Sequence, residues 1–254
     1  MGSTMRTSTE SPPRSLRRVA WVALLGTLFS LLSACVYLRL LEVKKQLQNF
    51  DENFALSGRS ELVIEFNNPI LRTKDARFLI GAEPLSQSGN EEVIQHFEFD
   101  MVRVSTETAV PPLGRLGLDL ALRRGRLTKI IVPESFMLLF PRNVVVETLK
   151  QAKDAEIFEM KKLARGKVHL DREVEAQLPS YAKTLLLMGE PLQRVTEGNV
   201  QVLTYRYSIS NATKDVLILT QLSFDPAGLL QKAYVHWDQS AIEALFVREE
   251  TPSQ

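Results

Sequence analysis

Two stretches of this chain repeat the same punctuation. Residues 76 to 84 read Ala-Arg-Phe-Leu-Ile-Gly-Ala-Glu-Pro, and residues 183 to 191 read Lys-Thr-Leu-Leu-Leu-Met-Gly-Glu-Pro. In each, an apolar helical segment meets a glycine and then Glu-Pro. Glycine just past a helix end takes the left-handed conformation without a steric penalty, and the proline beyond it stops the helix resuming. The likeness continues downstream. After Pro84, a polar turn with Gly89-Asn90 leads into Val93-Ile-Gln-His-Phe-Glu-Phe99; after Pro191, Gly198-Asn199 leads into Val200-Gln-Val-Leu-Thr-Tyr-Arg-Tyr207. Both runs alternate as half-buried strands do. Leu116 to Leu122 then answers Val216 to Phe224, and Gly125 to Val132 answers Gly228 to Val235 with a shared Gly-x-Leu-x-Lys opening. Repeated order of this kind signals duplicated architecture.

The expected fold class is therefore α+β. Two related units are expected, each a helix packed on a three-stranded antiparallel sheet, preceded by an N-terminal membrane-anchor helix. The first unit is placed at 56–140 and the second at 171–247, with a polar tail over 248–254. Between them, 141–170 reads as a connecting helix and linker. Pro141 suits a first helical turn there, and residues 155–165 read equally as helix or strand. Glu61 to Phe66 is β-branched and apolar enough for a strand ahead of the first helix. Upstream, 36–55 carries Leu38, Leu41, Leu47 and Phe50 at near-helical spacing among charged residues. That pattern predicts an amphipathic membrane-proximal helix.

The other constraint lies at the N-terminus. A polar stretch ends in Arg14, Arg17 and Arg18, and a mainly apolar run from Val19 closes as Leu32-Ser33-Ala34-Cys35. Basic, then apolar, then small residues is the layout of a secretory signal. The closing four residues resemble the bacterial lipoprotein box, where a peptidase cuts before an acylated cysteine, so 1–35 reads as a signal peptide with Cys35 the lipidation site. Cys35 is the single cysteine of the chain. It excludes an intramolecular disulfide and any paired-thiolate zinc site. An uncleaved transmembrane anchor extending to about residue 41 is the alternative, because Val19 to Leu38 supplies the ~20 apolar residues a span needs. Either anchor leaves the body outside the cytoplasm. Outer-membrane sorting is favoured for the lipoprotein, since Val36 stands where some lipoproteins carry a retention aspartate.

A lipidated N-terminus, then Leu185-Leu186-x-Met188-Gly189-Glu190-Pro191, a tyrosine-rich strand and Phe224-Asp225-Pro-Ala-Gly228-Leu-Leu is similar to the small SmpA/OmlA lipoproteins. The likeness is best over 174–237. It implies two helices against a three-stranded antiparallel sheet and an accessory role in outer-membrane barrel assembly. That family usually carries one such unit, whereas this chain repeats it.

Chemistry is sparse. The histidines are His96, His169 and His236, and they lack the spacing of a metal site. No Gly-x-Ser-x-Gly elbow and no glycine-rich phosphate loop occurs. The carboxylate pairs Glu91-Glu92 and Glu249-Glu250 are sequential and point apart. The net charge is +1, with only short basic clusters, Arg123-Arg124-Gly125-Arg126 and Lys161-Lys162. That balance argues against nucleic acid as a partner. Each cluster reads as a solvated turn or as a phosphate or lipid-headgroup contact. Phe97, Phe99, Tyr205 and Tyr207 fall at period two, facing a core or lining a groove. Apolar residues make up 44% of the chain and charged residues 24%, the balance of a globular body.

The expectation is a non-enzymatic envelope protein with no cofactor. Its membrane contact is the N-terminal anchor and its other partner a protein, for which it acts as scaffold or accessory subunit. A lipid or small-ligand binder is the alternative, and an enzyme the third reading. Neither the partner's identity nor the oligomeric state follows from the residues.

Overall fold

The computed structural model describes residues 39–103, 109–158, 163–209, 217–237 and 240–248. The signal and lipobox residues Leu32, Ser33, Ala34 and Cys35 lie outside them, as do Lys161-Lys162 and Glu249-Glu250. The chain divides into Met1–Leu41 and Glu42–Gln254, and the described strands all belong to the second unit. No helix among the described residues is long and apolar enough to cross a membrane.

Mixed α+β architecture is observed, built on one large sheet with few helices. Helical residues 39–48 (α1) lead to α2 (Phe50–Asn53), β1 (Phe54–Ser57) and β2 (Leu62–Phe66). Next come α3 (Thr73–Ile80), β3 (Ser86–Ser88), β4 (Glu92–Met101), β5 (Arg115–Arg123) and β6 (Arg126–Val132). After α4 (Glu134–Leu139), α5 (Arg142–Gln151) and a short 3-10 turn, the chain forms β7 (Glu156–Phe158) and β8 (Leu163–His169). It ends with α6 (Arg172–Glu175), α7 (Tyr181–Met188), β9 (Gln193–Glu197), β10 (Val200–Ile209), β11 (Leu217–Phe224), β12 (Leu230–Trp237) and β13 (Ser240–Val247).

The strands join in the order β1-β2-β6-β5-β4-β10-β11-β12-β13-β8-β7, with β3 on β4 and β9 on β10, thirteen among the described residues. A short antiparallel junction welds the halves: Met101 opposes Tyr207, Asp100 opposes Ser208 and Phe99 opposes Ile209. Ser208 Oγ also donates to the Asp100 carbonyl, across 108 residues of sequence. Three features differ from the sequence reading. In place of two separate three-stranded sheets, one continuous sheet of thirteen strands is observed among the described residues. The amphipathic stretch 36–55 already turns to strand at Phe54, where Phe54 stacks on Phe50 at 5.1 Å and opposes Phe66 in β2. The stretch 141–170 is more than a linker, because β8 within it pairs in parallel with β13 from Ala241↔Leu163 to Val247↔His169. Backbone groups buried at that edge need partners, and this pairing satisfies them where local propensity was ambiguous.

Local physics accounts for the helix ends. The Arg72 N–H donates to Asp75 Oδ2 at 2.8 Å at the start of α3. At the start of α7, Ser180 Oγ accepts from the Lys183 N–H at 3.2 Å. Each bond satisfies a first-turn group that the helix itself leaves without a partner. Gly81 and Gly189 end these helices at φ 79° and 72°. Two further bonds recur between the halves. Thr73 N–H donates to Gly125 O at 3.1 Å, and Tyr181 N–H to Gly228 O at 2.8 Å. Leu127 N–H reaches Leu71 O, and Leu230 N–H reaches Pro179 O. Strands β5 and β6 meet at Arg124-Gly125, both at positive φ, 50° and 72°. That is the conformation of a two-residue hairpin turn.

One face of the sheet holds the core. Leu203, Tyr205, Tyr207, Leu222, Phe224 and Leu230 pack with Val174 of α6, Met188 of α7 and Leu178 of the segment between them. Each such apolar side chain contributes ~2–3 kcal/mol on burial. A second cluster unites Phe50, Phe54, Leu62 and Ile64 with Val43 and Leu47 of α1 and Val145, Val146 and Leu149 of α5.

The turn before β12 is clamped from the C-terminal strand. The Leu229 N–H donates to Asp225 Oδ1 at 2.9 Å, Arg248 donates to Asp225 Oδ2, and Arg248 Nε meets Glu175 at 2.9 Å. Burial alone would raise the Asp225 pKa; the Leu229 N–H and the Arg248 guanidinium outweigh it and hold the carboxyl below its ordinary value. A carboxylate depressed on folding contributes stability above its unfolded pKa, and that contribution is lost as pH falls through the folded value. Asp225→Asn is therefore expected to cost about 1–2 kcal/mol near neutrality, with the gap from wild type closing as pH falls through the acidic range in which Asp225 takes up its proton. Urea unfolding across that range checks it; a gap independent of pH would remove the ionic account.

Candidate functional site

The aromatic stripe turns inward. Phe97, Tyr205 and Tyr207 are buried and Phe99 is half-buried against the main core. Each tyrosine spends its hydroxyl inside the protein: Tyr205 donates to Gly189 O at 3.2 Å and Tyr207 to Leu113 O at 2.9 Å. Burial pushes both phenols above their ordinary pKa. These residues pack in the core.

The histidines do not converge. His96 Nδ1 lies 2.6 Å from Asp119 Oδ1, its register partner on β5, and the ring leans over Gly117, where an added Cβ would come within 3.0 Å of Cε1. Ser86 opposes His96 from β3, on the side away from that lean. His236 stacks on Tyr234 with ring centroids 6.4 Å apart. His169 ends β8, its backbone held by Gln151. Among the described residues no group of three or more His, Cys, Asp or Glu is placed to hold a metal. The sequential pair Glu91-Glu92 is divided in role, since Glu92 accepts from Thr128 and faces Lys129 while Glu91 is exposed.

What stands out instead is apolar surface, repeated. Phe78 on α3 is 64% exposed and Leu186 on α7 is 75% exposed, and the two are separated by the same 108 residues that part Asp100 from Ser208. Just past the two Glu-Pro stops, Leu85 and Leu192 are exposed as well. Single exposed apolar residues are ordinary on a protein surface. Exposure at matching positions of two helices is less so, because each helix had buried positions available on its other face: Ala76 on α3, Thr184 and Met188 on α7.

Both helices are held by the opposite half of the chain. Trp237 Nε1 donates to the Leu79 carbonyl in α3 at 2.6 Å, and the Leu113 N–H donates to the Leu187 carbonyl in α7 at 2.9 Å. These are carbonyls of the last helical turn, which lack an intrahelical partner. Phe78 and Leu186 are thus carried on helices whose C-terminal ends are pinned, so their exposed side chains sit on rigid supports. The sequence reading missed them, although aligning the repeats places a large apolar residue at the same helical position in both. The chain matches no known protein family, no curated protein and no solved structure.

Proposed function

We propose that this chain is a non-catalytic cell-envelope lipoprotein, acylated at Cys35, that serves as a scaffold or accessory subunit through protein–protein contacts. Its body is a duplicated helix-and-sheet unit whose two copies are welded through β4 and β10. The observation that carries the reading is the matched exposure of Phe78 and Leu186 on pinned helices. Large apolar anchors on rigid elements are what a partner protein buries at an interface centre. The likeness of residues 174–237 to the SmpA/OmlA lipoproteins supports the same role, since that segment holds the end of α6, all of α7, and the antiparallel strands β9 to β12. A binder of small apolar ligands is less well supported, because the aromatic stripe that would line its groove is core.

The anchor is tested by the intact mass and N-terminal peptide of the protein extracted from its native membrane. A mature chain starting at an acylated Cys35 is expected, and Cys35→Ser should accumulate as the full-length precursor. An unprocessed wild-type chain would sink lipidation and leave a single-pass anchor.

A further inference from the structure

The turn between β5 and β6 is basic, and its counterpart is not. Arg123, Arg124 and Arg126 are exposed on the hairpin, and Arg72 and Lys74 are exposed at the adjoining start of α3. Arg72 and Arg126 are direct partners in an antiparallel bridge, and the Thr73 N–H is bonded to Gly125 O. Five cationic side chains therefore gather at one corner. In the other half the same backbone bonds are made by Ser180-Tyr181-Ala182-Lys183 and Phe224-Asp225-Pro226-Ala227-Gly228, with one lysine, one carboxylate and no arginine. The same backbone bonds form in the other half without arginine, so they do not account for the charge at this corner.

Nor is that charge consumed internally. The side chains of Arg123, Arg124 and Lys74 make no ion pair or hydrogen bond among the described residues. Glu92, opposite Arg123 in the register, is engaged by Thr128 and Lys129. Asp75 is buried and holds the Arg72 backbone N–H. Asp75 and Glu92, the carboxylates shown at this corner, are fewer than its five cations.

The position of the corner identifies what meets it. Arg126 donates to the Pro69 carbonyl at 3.0 Å, and Gln46 of α1 donates to the neighbouring Asn68 carbonyl at 2.8 Å. The basic turn thus lies beside the helix through which the chain arrives, and Gln46 is only ~6 Å along the helix axis from Glu42. We propose that the corner formed by Arg72, Lys74, Arg123, Arg124 and Arg126 docks on the anionic headgroups of the membrane that holds the N-terminal anchor, fixing how the body stands on that membrane. This rests on the membrane-anchored reading above. Juxtamembrane basic clusters are attracted to anionic lipid, by about fivefold in affinity per cation near the surface, within a Debye length.

The test uses the full chain with vesicles of neutral phosphatidylcholine and with vesicles containing about one third phosphatidylglycerol. Flotation with neutral vesicles reports the anchor alone. Hydrogen exchange of the backbone amides at 123–127 reports the corner. Docking predicts slower exchange there on anionic than on neutral vesicles, reversed by raising salt from about 0.1 M to about 0.5 M. In the doubly neutralised Arg123→Gln/Arg124→Asn protein the difference should fall about tenfold or more; Asn is chosen because it tolerates the positive φ at 124. Lys74→Gln, which leaves the turn untouched, should weaken it about fivefold. Equal exchange on both vesicles with normal flotation overturns the proposal and leaves the anchor standing. Equal protection by free inorganic phosphate without vesicles also overturns it, in favour of a soluble anion. Failure to float on neutral vesicles sinks the anchor instead; salt-sensitive flotation on anionic vesicles alone would still support the corner, and flotation on neither would overturn it.

Discussion

Aspartate at both Phe78 and Leu186 should leave the protein as stable as wild type and deprive it of its partner. Both side chains are mostly in solvent, 64% and 75% exposed. Replacing them removes little buried surface and should move stability by no more than about 0.5 kcal/mol. Buried in an interface, each would contribute about 1.5–3 kcal/mol. Losing two such anchors, and placing two carboxylates in their stead, should weaken association by about a hundredfold or more. The measurement is photo-crosslinking in the native host, with the reactive group at exposed Leu85 or Leu192, which follow α3 and α7 in the chain. A discrete adduct is expected in wild type and should be lost in the double variant, while thermal unfolding stays unchanged. Leu138→Asp is the control, since Leu138 is exposed on α4 at a position with no match on α3 or α7. If the adduct survives the double substitution, the two helices are not the docking surface.

The second large effect is on stability. Phe224 is fully buried and meets Tyr181 edge-to-face at 5.6 Å, fastening the start of α7 to the end of β11. Phe224→Ala should cost about 3–5 kcal/mol, a large share of the ~5–15 kcal/mol that holds a domain together, and lower the Tm by about 10 °C. Phe97, in the other half, is also fully buried, and Phe97→Ala is expected to cost about as much. The continuous sheet adds a sharper expectation. Because β4 and β10 share backbone bonds and each helix is pinned by the opposite half, both variants should lower a single transition. Far-ultraviolet dichroism and tryptophan fluorescence would detect it. A split into two transitions, with only one half destabilised by each substitution, would show that the weld at Met101–Tyr207 does not couple the halves.

Legibility in the residues followed how local each cause was. Gly81 and Gly189 were readable as helix stops because a glycine at positive φ, left-handed at Gly81 and extended in ψ at Gly189, followed by proline is decided within one turn of chain. The alternation in Val93 to Phe99 and in Val200 to Tyr207 named the inward face, since side-chain period in a strand is set by the backbone itself. The helix after Pro141 was readable for the same reason, though Pro141 takes the cap position just ahead of Arg142. Residues 155–165 were not, because β8 is held by β13, some eighty residues away, and β7 in turn by β8, and such pairing leaves no mark on local composition.

The candidate surface divides in the same way. Aligned on their helix-ending glycines, Gly81 and Gly189, the two segments set Phe78 against Leu186, yet a large apolar residue on an amphipathic helix reads as core until packing is known. Which side of α3 and α7 met the sheet was settled by tertiary contacts: Ala76, Thr184 and Met188 took the buried side, and Trp237 and Leu113 bonded the last carbonyls from across the molecule. Chain-local chemistry, from turn to strand to cap, was determined in the linear order of residues. The joining of two halves into one sheet, and with it the side of each helix left to solvent, was decided only when distant backbone and apolar groups found partners, because hydrogen bonding and burial are satisfied in space and not in sequence.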